Sequence, residues 1–179
     1  MRAVVIYESM YGNTHVIADA IGRGLAPGNE VTVVPVAEAT RDLLEEADLV
    51  VAGGPTHVHG MSGPRSRQAA AEAAHKDSSG LTLEPHAQGP GLRELLGALG
   101  YIHSGSAAFD TRVDGPAMLT GHASKAIAKL LDRHGLTEIA PAQSFLVTKH
   151  NQLLPGEEDR AEQWGRELAA KLPAAVAFL

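Results

Sequence analysis

The chain has 179 residues, is 44% hydrophobic and carries a formal net charge of −6, which suits a single domain spanning residues 1–179 with one substantial core. It contains no cysteine, which excludes disulfides, thiolate-bound zinc, iron–sulfur centres and cysteine nucleophiles, so any redox chemistry must come from a cofactor. The acidic balance argues against a nucleic-acid binder. With no signal-like start and no apolar run of bilayer length, the expectation is a cytoplasmic protein without a membrane span.

Read in chain order, short apolar runs alternate with helical patterns. Ala3–Tyr7 reads as a strand buried on both faces, and Thr14–Leu25 as a helix with Val16, Ile17, Ala20, Ile21 and Leu25 on one stripe. Further strands are predicted at Val31–Val34, Leu49–Ala52, Ala107–Asp110 and Ser144–Thr148. Helices are predicted near Thr40–Glu46, Arg65–Ala74, Leu92–Leu99 and Ser124–Arg133, with a last one after Pro155-Gly156 that includes Trp164 and Leu168. Residues 75–91 combine glycine, proline and two adjacent serines with little periodic apolar content, which predicts an exposed excursion. The alternation implies an α/β fold, a parallel sheet with helices on both faces.

The junction after the first strand carries the most chemistry. Ser9, Gly12, Asn13 and Thr14 supply hydroxyls, a residue tolerant of unusual dihedrals, and free N–H groups at a helix N-terminus, and no basic residue sits in that loop. A phosphate held by neutral dipoles, with neither a Walker lysine nor a three-glycine dinucleotide fingerprint, suggests flavin mononucleotide (FMN) over a nucleotide triphosphate. No Gly-x-Ser-x-Gly elbow surrounds Ser9, which leaves no catalytic side chain to single out.

Ser9-Met10-Tyr11-Gly12-Asn13-Thr14 resembles the first loop of the flavodoxin family, Thr/Ser-x-Thr-Gly-x-Thr, with Tyr11 in place of the middle hydroxy-amino acid. Two later stretches resemble that family's other flavin-contacting loops: Gly53-Gly54-Pro55-Thr56-His57-Val58-His59-Gly60, and Phe109-Asp110-Thr111-Arg112 at the end of a later strand. The resemblance implies a flavodoxin-like three-layer sandwich, its five parallel strands in the order 2-1-3-4-5, with ligand loops at the carboxyl ends of strands one, three and four. It further implies FMN as cofactor. Ser9 to Thr14 would hold the phosphate, with Tyr11 replacing a hydroxyl contact through its phenol, while Pro55 to Gly60 and Phe109 to Arg112 would flank the ring.

Several residues carry two readings. Phe109 is either a ring neighbour or a strand-end core residue, and Asp110 either contacts the ribityl or ring edge or caps the turn towards Gly115-Pro116. Arg112 either balances negative charge at the ring, binds a substrate anion, or pairs with Asp110 or Asp114. Gly60 is either a hinge that presents a carbonyl to the ring or simply a turn residue. His57-x-His59 lacks a third ligand at metal-like spacing, so no metal is expected. Because no Asp or Glu occurs from Leu49 to Ala71 while His57, His59, Arg65 and Arg67 do, the field around the second loop is expected to be neutral to positive. Protonation of His57 or His59 would then make the flavin potential depend on pH near neutrality. Three functions follow: an electron carrier between a reductase and an acceptor, an FMN-dependent reductase of a small quinone-like acceptor, or a fold of this type that has lost its flavin and serves in protein interactions. Neither the partners nor the oligomeric state is legible in the residues.

Overall fold

A computed structural model of the chain describes residues 1–57, 59–76 and 80–172. Five principal strands form a parallel sheet: β1 (Arg2–Tyr7), β2 (Glu30–Pro35), β3 (Leu49–His57), β5 (Gly105–Val113) and β7 (Gln143–Val147). Their order is β2-β1-β3-β5-β7, the flavodoxin-like arrangement. Two short strands were not anticipated. Gly60–Met61 (β4) turns back antiparallel on Thr56 and His57, and Thr137–Glu138 (β6) pairs with the start of β5. The far edge of the sheet is thus split between β6 and β7, with Ile139 to Ala142 between them. Pro141, which has no N–H to donate, lies in that break.

Alternation along the strands sorts the core into two layers. Ala3, Val5, Leu49, Val51, Phe109 and Phe145 face α1 (Asn13–Leu25) and α7 (Glu157–Lys171). There Ile17, Ile21, Trp164 and Leu168 complete the packing, with Trp164 6.1 Å from Phe145 between ring centroids. Val4, Ile6, Val50, Ala52 and Ala108 face the opposite way, towards Leu44 of α2 (Arg41–Glu45), Leu92 and Leu96 of α4 (Leu92–Ala98), and Ile127 and Leu131 of α6 (Ala123–Arg133). Between these, α3 (Pro64–Ala74) follows β4, and the four-residue α5 (Ala117–Thr120) precedes α6.

The 75–91 segment is irregular and most of its described residues are exposed, yet a few contacts fasten it to the first loop. Residues 77–79 lie outside the described residues, but the Glu84 N–H donates to the Met10 carbonyl at 2.9 Å, its carboxylate lies 3.2 Å from His15 Nδ1, and Ala87 is buried. The backbone of this segment therefore braces the first loop. Periodicity carries no signal of such a contact, because the partners are far apart in sequence.

Candidate functional site

At the carboxyl ends of β1, β3 and β5 the chain leaves an open cleft of about 530 Å³, its solvent-open mouth included. Ser9, Met10, Tyr11, Asn13 and Thr14 form one wall. Pro55, Thr56 and His57 form a second, and Thr111, Arg112 and Val113 a third. Residues from all three sequence-predicted loops are therefore brought together. Val147 and Asn151, which no motif pointed to, complete the lining. Asn151 adopts a left-handed φ of 58°, a conformation asparagine tolerates better than most residues. Its carbonyl and side-chain oxygen each accept from Asn13 Nδ2 at 3.0 Å, so the turn after β7 orients the first loop.

The first wall is arranged around the start of α1. Gly12 holds φ at 95°, a left-handed value that would strain any residue with a Cβ, and its N–H donates to Ser9 Oγ at 3.1 Å. No side chain caps this 13-residue helix and its own first turn contains no acid, although Glu84 from the later segment brings a carboxylate beside Gly12 and His15; its first N–H groups meet the cleft. Thr14 and Thr111 share a hydrogen bond between hydroxyls at 2.7 Å, joining the first and third walls. Tyr11 lines the cleft, but its phenol donates to the Ala70 carbonyl at 2.7 Å. That bond fastens the loop to α3, and the expected replacement of a hydroxyl contact gives way to a structural one.

The remaining predicted residues are placed as follows. Phe109 is fully buried against Phe145, and a Cβ on Gly53 would run into its ring. It belongs to the core, because its strand position points to the α1/α7 layer. Asp110 is also fully buried; its Oδ2 accepts from Ser124 N at 2.8 Å while Thr56 Oγ1 accepts from Ala123 N at 2.9 Å. Together they cap α6 from a distance, replacing the ribityl contact or local turn cap expected of Asp110. Val58 lies outside the described residues. His59, at φ 73°, is exposed and bridged to Gly121, whose approach to the His59 backbone leaves no room for a Cβ. Gly60 opens β4 at the edge of the second loop. Among the described residues no cluster of three or more metal-capable side chains occurs.

The second loop is less positive than its composition suggests. Arg65 is exposed, but Arg67 is buried with Nη2 3.2 Å from Glu94 and Nη1 donating to Ser62 Oγ at 3.1 Å. Ser62 in turn donates to the buried Glu8, which also accepts from Leu92 N at 3.0 Å. Arg67 is therefore committed to carboxylates from other segments, a pairing that a window from Leu49 to Ala71 could not reveal. Burial pushes the His57 imidazole below its ordinary pKa; nearby Glu8 opposes this and Arg67 adds to it. His57 is consequently neutral at pH 7, and the pH dependence expected from its protonation near neutrality is displaced to lower pH.

Arg112 makes no ion pair with Asp110 or Asp114 among the described residues. Its Nη1 donates instead to the carbonyls of Val113 and Gly115 and to Thr120 Oγ1, at 3.3, 3.0 and 2.8 Å. Its Nε is buried without a partner. Among the described residues no carboxylate lines the cleft, and Arg112 is the only lining residue with a permanent charge.

Residues 5–90 match the flavodoxin family. The fold is flavodoxin-like. Its fold is similar to that of a flavodoxin from the domain Archaea, at a TM-score of 0.67 and 22% identity, covering 96% of this chain and 99% of the other. It is similar as well to oxidised flavodoxin 1 from Bacillus cereus, at a TM-score of 0.65 and 18% identity, covering 97% and 100% of the two chains. The rubredoxin oxygen:oxidoreductase from Desulfovibrio gigas shares the fold over 97% of this chain but only 37% of its own, at a TM-score of 0.58 and 18% identity. At these identities the structural likenesses speak for the fold. Within this flavodoxin-like chain, the donor set suits a phosphomonoester: an uncapped helix start, hydroxyls at Ser9 and Thr14, and no carboxylate in the cleft lining.

Proposed function

We propose that the cleft binds FMN and that the protein carries electrons between a reductase and an acceptor. The observation that carries this reading is the uncapped start of α1, with no acid in its own first turn, opening into a cleft lined by all three loops and, among the described residues, by no carboxylate. Ser9, Asn13 and Thr14, with the N–H groups of the first helical turn, would hold the phosphate. Thr56, His57, Thr111 and Arg112 would line the rest of the bound molecule. When bound, FMN supplies transfer of electrons singly or in pairs, and the protein contributes binding, orientation and electrostatics. Tyr11 and Asn151 act indirectly, fixing the first loop through Ala70 and Asn13. No side chain is required as a general acid or base. Visible absorption of the purified protein titrated with FMN, followed by reduction with a flavodoxin reductase and reoxidation by an acceptor protein, tests the reading. Stoichiometric uptake with turnover that depends on the reductase is expected, and a protein that takes up no FMN overturns it.

A second reading, an FMN-dependent reductase acting directly on a quinone-like acceptor, is favoured by one observation. Met118 and Leu119 on α5 are 93% and 67% exposed, next to Thr120, which anchors Arg112. An apolar lip of this kind suits a small planar acceptor. NAD(P)H oxidation coupled to quinone reduction in the absence of any separate reductase would select this reading over the carrier.

A further inference from the structure

Arg112 differs from the other polar groups of the cleft in how its hydrogen bonds are distributed. Nη1 is held by three oxygens from the segment between Val113 and Thr120, which fixes the guanidinium in place. Nε, buried, has no partner among the described residues, although a buried donor left unsatisfied costs about 1–3 kcal/mol. Among the described residues no carboxylate lines the cleft to compensate the charge, and burial favours the neutral form of His57, the other titratable base in the lining. The cleft therefore has two electropositive features. One is the dipole end of α1 on the first wall, and the other is the full positive charge of the Arg112 guanidinium on the third.

We infer that Arg112 is an anion-recognising residue separate from the phosphate loop, and that it makes the cleft bind reduced, anionic FMN more tightly than oxidised FMN. The inference rests on the FMN reading above. The phosphate carries the same charge before and after reduction, so a group that only holds the phosphate cannot distinguish the two forms. The ring does change. Taking up two electrons and one proton, it passes from neutral to a single negative charge, and a fixed cation in a partly dry cleft favours the charged product. The positive field expected of the second loop thus comes from the third. Arg67 is neutralised by its partners, and Arg112 is left to act.

The test uses the full chain and compares Arg112→Gln and Arg112→Lys with the unaltered protein. Flavin fluorescence gives the affinity for oxidised FMN, anaerobic dithionite titration gives the bound two-electron potential, and the thermodynamic cycle gives the affinity for the reduced form. Arg112→Gln is expected to lower the preference for reduced over oxidised FMN about tenfold, which is about 30 mV off the two-electron potential. Arg112→Lys, which keeps the charge, is expected to recover most of that preference. If Arg112→Gln weakens both forms equally, or leaves both unchanged, Arg112 serves only to anchor the segment to Thr120 and the inference is wrong while the FMN reading stands. Should Arg112→Gln fail to fold, Arg112→Lys losing the full preference would overturn the inference just as well. If the unaltered protein binds no FMN in either form, both fall together.

Discussion

Two neighbouring groups of polar side chains treat charge in opposite ways. Behind the cleft, Glu8, Ser62, Arg67 and Glu94 form a cluster in which the cation and carboxylates answer one another, and Glu8, Ser62 and Arg67 are each less than a tenth exposed. In the cleft, Ser9, Thr14 and Arg112 face a space without a carboxylate, and Arg112 keeps a donor free. The cluster joins the end of β1 to the start of α3 and the start of α4, so its charges hold the walls apart at a fixed spacing. The cleft's charges are left for a ligand. Polar groups that satisfy each other stabilise structure, whereas charges on a cleft wall without counter-charges are open to a ligand.

The largest expected effect lies in the cluster. Arg67→Met would leave the Glu8 carboxylate buried without its cation and should cost about 3 kcal/mol of stability, read as a lowered urea midpoint. A change under about 0.5 kcal/mol, the usual size for a surface substitution, would mean that the cluster is not holding the walls. The cleft gives the next effect. Thr14→Val removes the hydroxyl shared with Thr111 and a donor to the phosphate, and should weaken FMN binding about tenfold. Its stability loss should be smaller than that of Arg67→Met, and the reverse order would erase the contrast between the two groups. Glu94, whose side chain is 38% exposed at the cluster's rim, is expected to matter less: Glu94→Gln should cost about 1 kcal/mol or less in the same urea titration.

The smallest effect belongs to His57, which lines the cleft yet feels Glu8 and Arg67 of the cluster. Its folded-state pKa lies below the ordinary value of about 6.5. As the pH falls through that value the unfolded chain takes up the proton first, so stability is full above about pH 6.5 and declines below it. His57→Gln should flatten the fall in Tm between pH 7 and 5.5, and an unchanged pH profile would show that the imidazole is solvated.

Much of this arrangement was legible in the residues, and the portions that were not share a cause. The five principal strands follow from short apolar runs alternating with helical periodicity, and their order from the resemblance to the flavodoxin family. The first loop follows from a strand ending in hydroxyl and glycine residues ahead of Ile17 and Ile21. Window-based reading failed where the deciding partner is distant. Arg67 looked like a free cation until Glu8, 59 residues earlier in the numbering, proved to share its network through Ser62. Phe109 and Asp110 sit beside the third loop in sequence, but the strand's alternation sends one into the core and the other under α6. Asn151 carried no motif at all, since its role is a contact with Asn13 across 138 positions.

Comparing FMN with riboflavin tests the central claim most directly, because the two ligands differ only by the phosphate that the start of α1 is proposed to receive. Fluorescence titration of the full chain with each should show FMN binding at one per chain and at least about a hundredfold more tightly, the scale of several charge-assisted hydrogen bonds lost together. Equal affinities, or binding of neither, would contradict it.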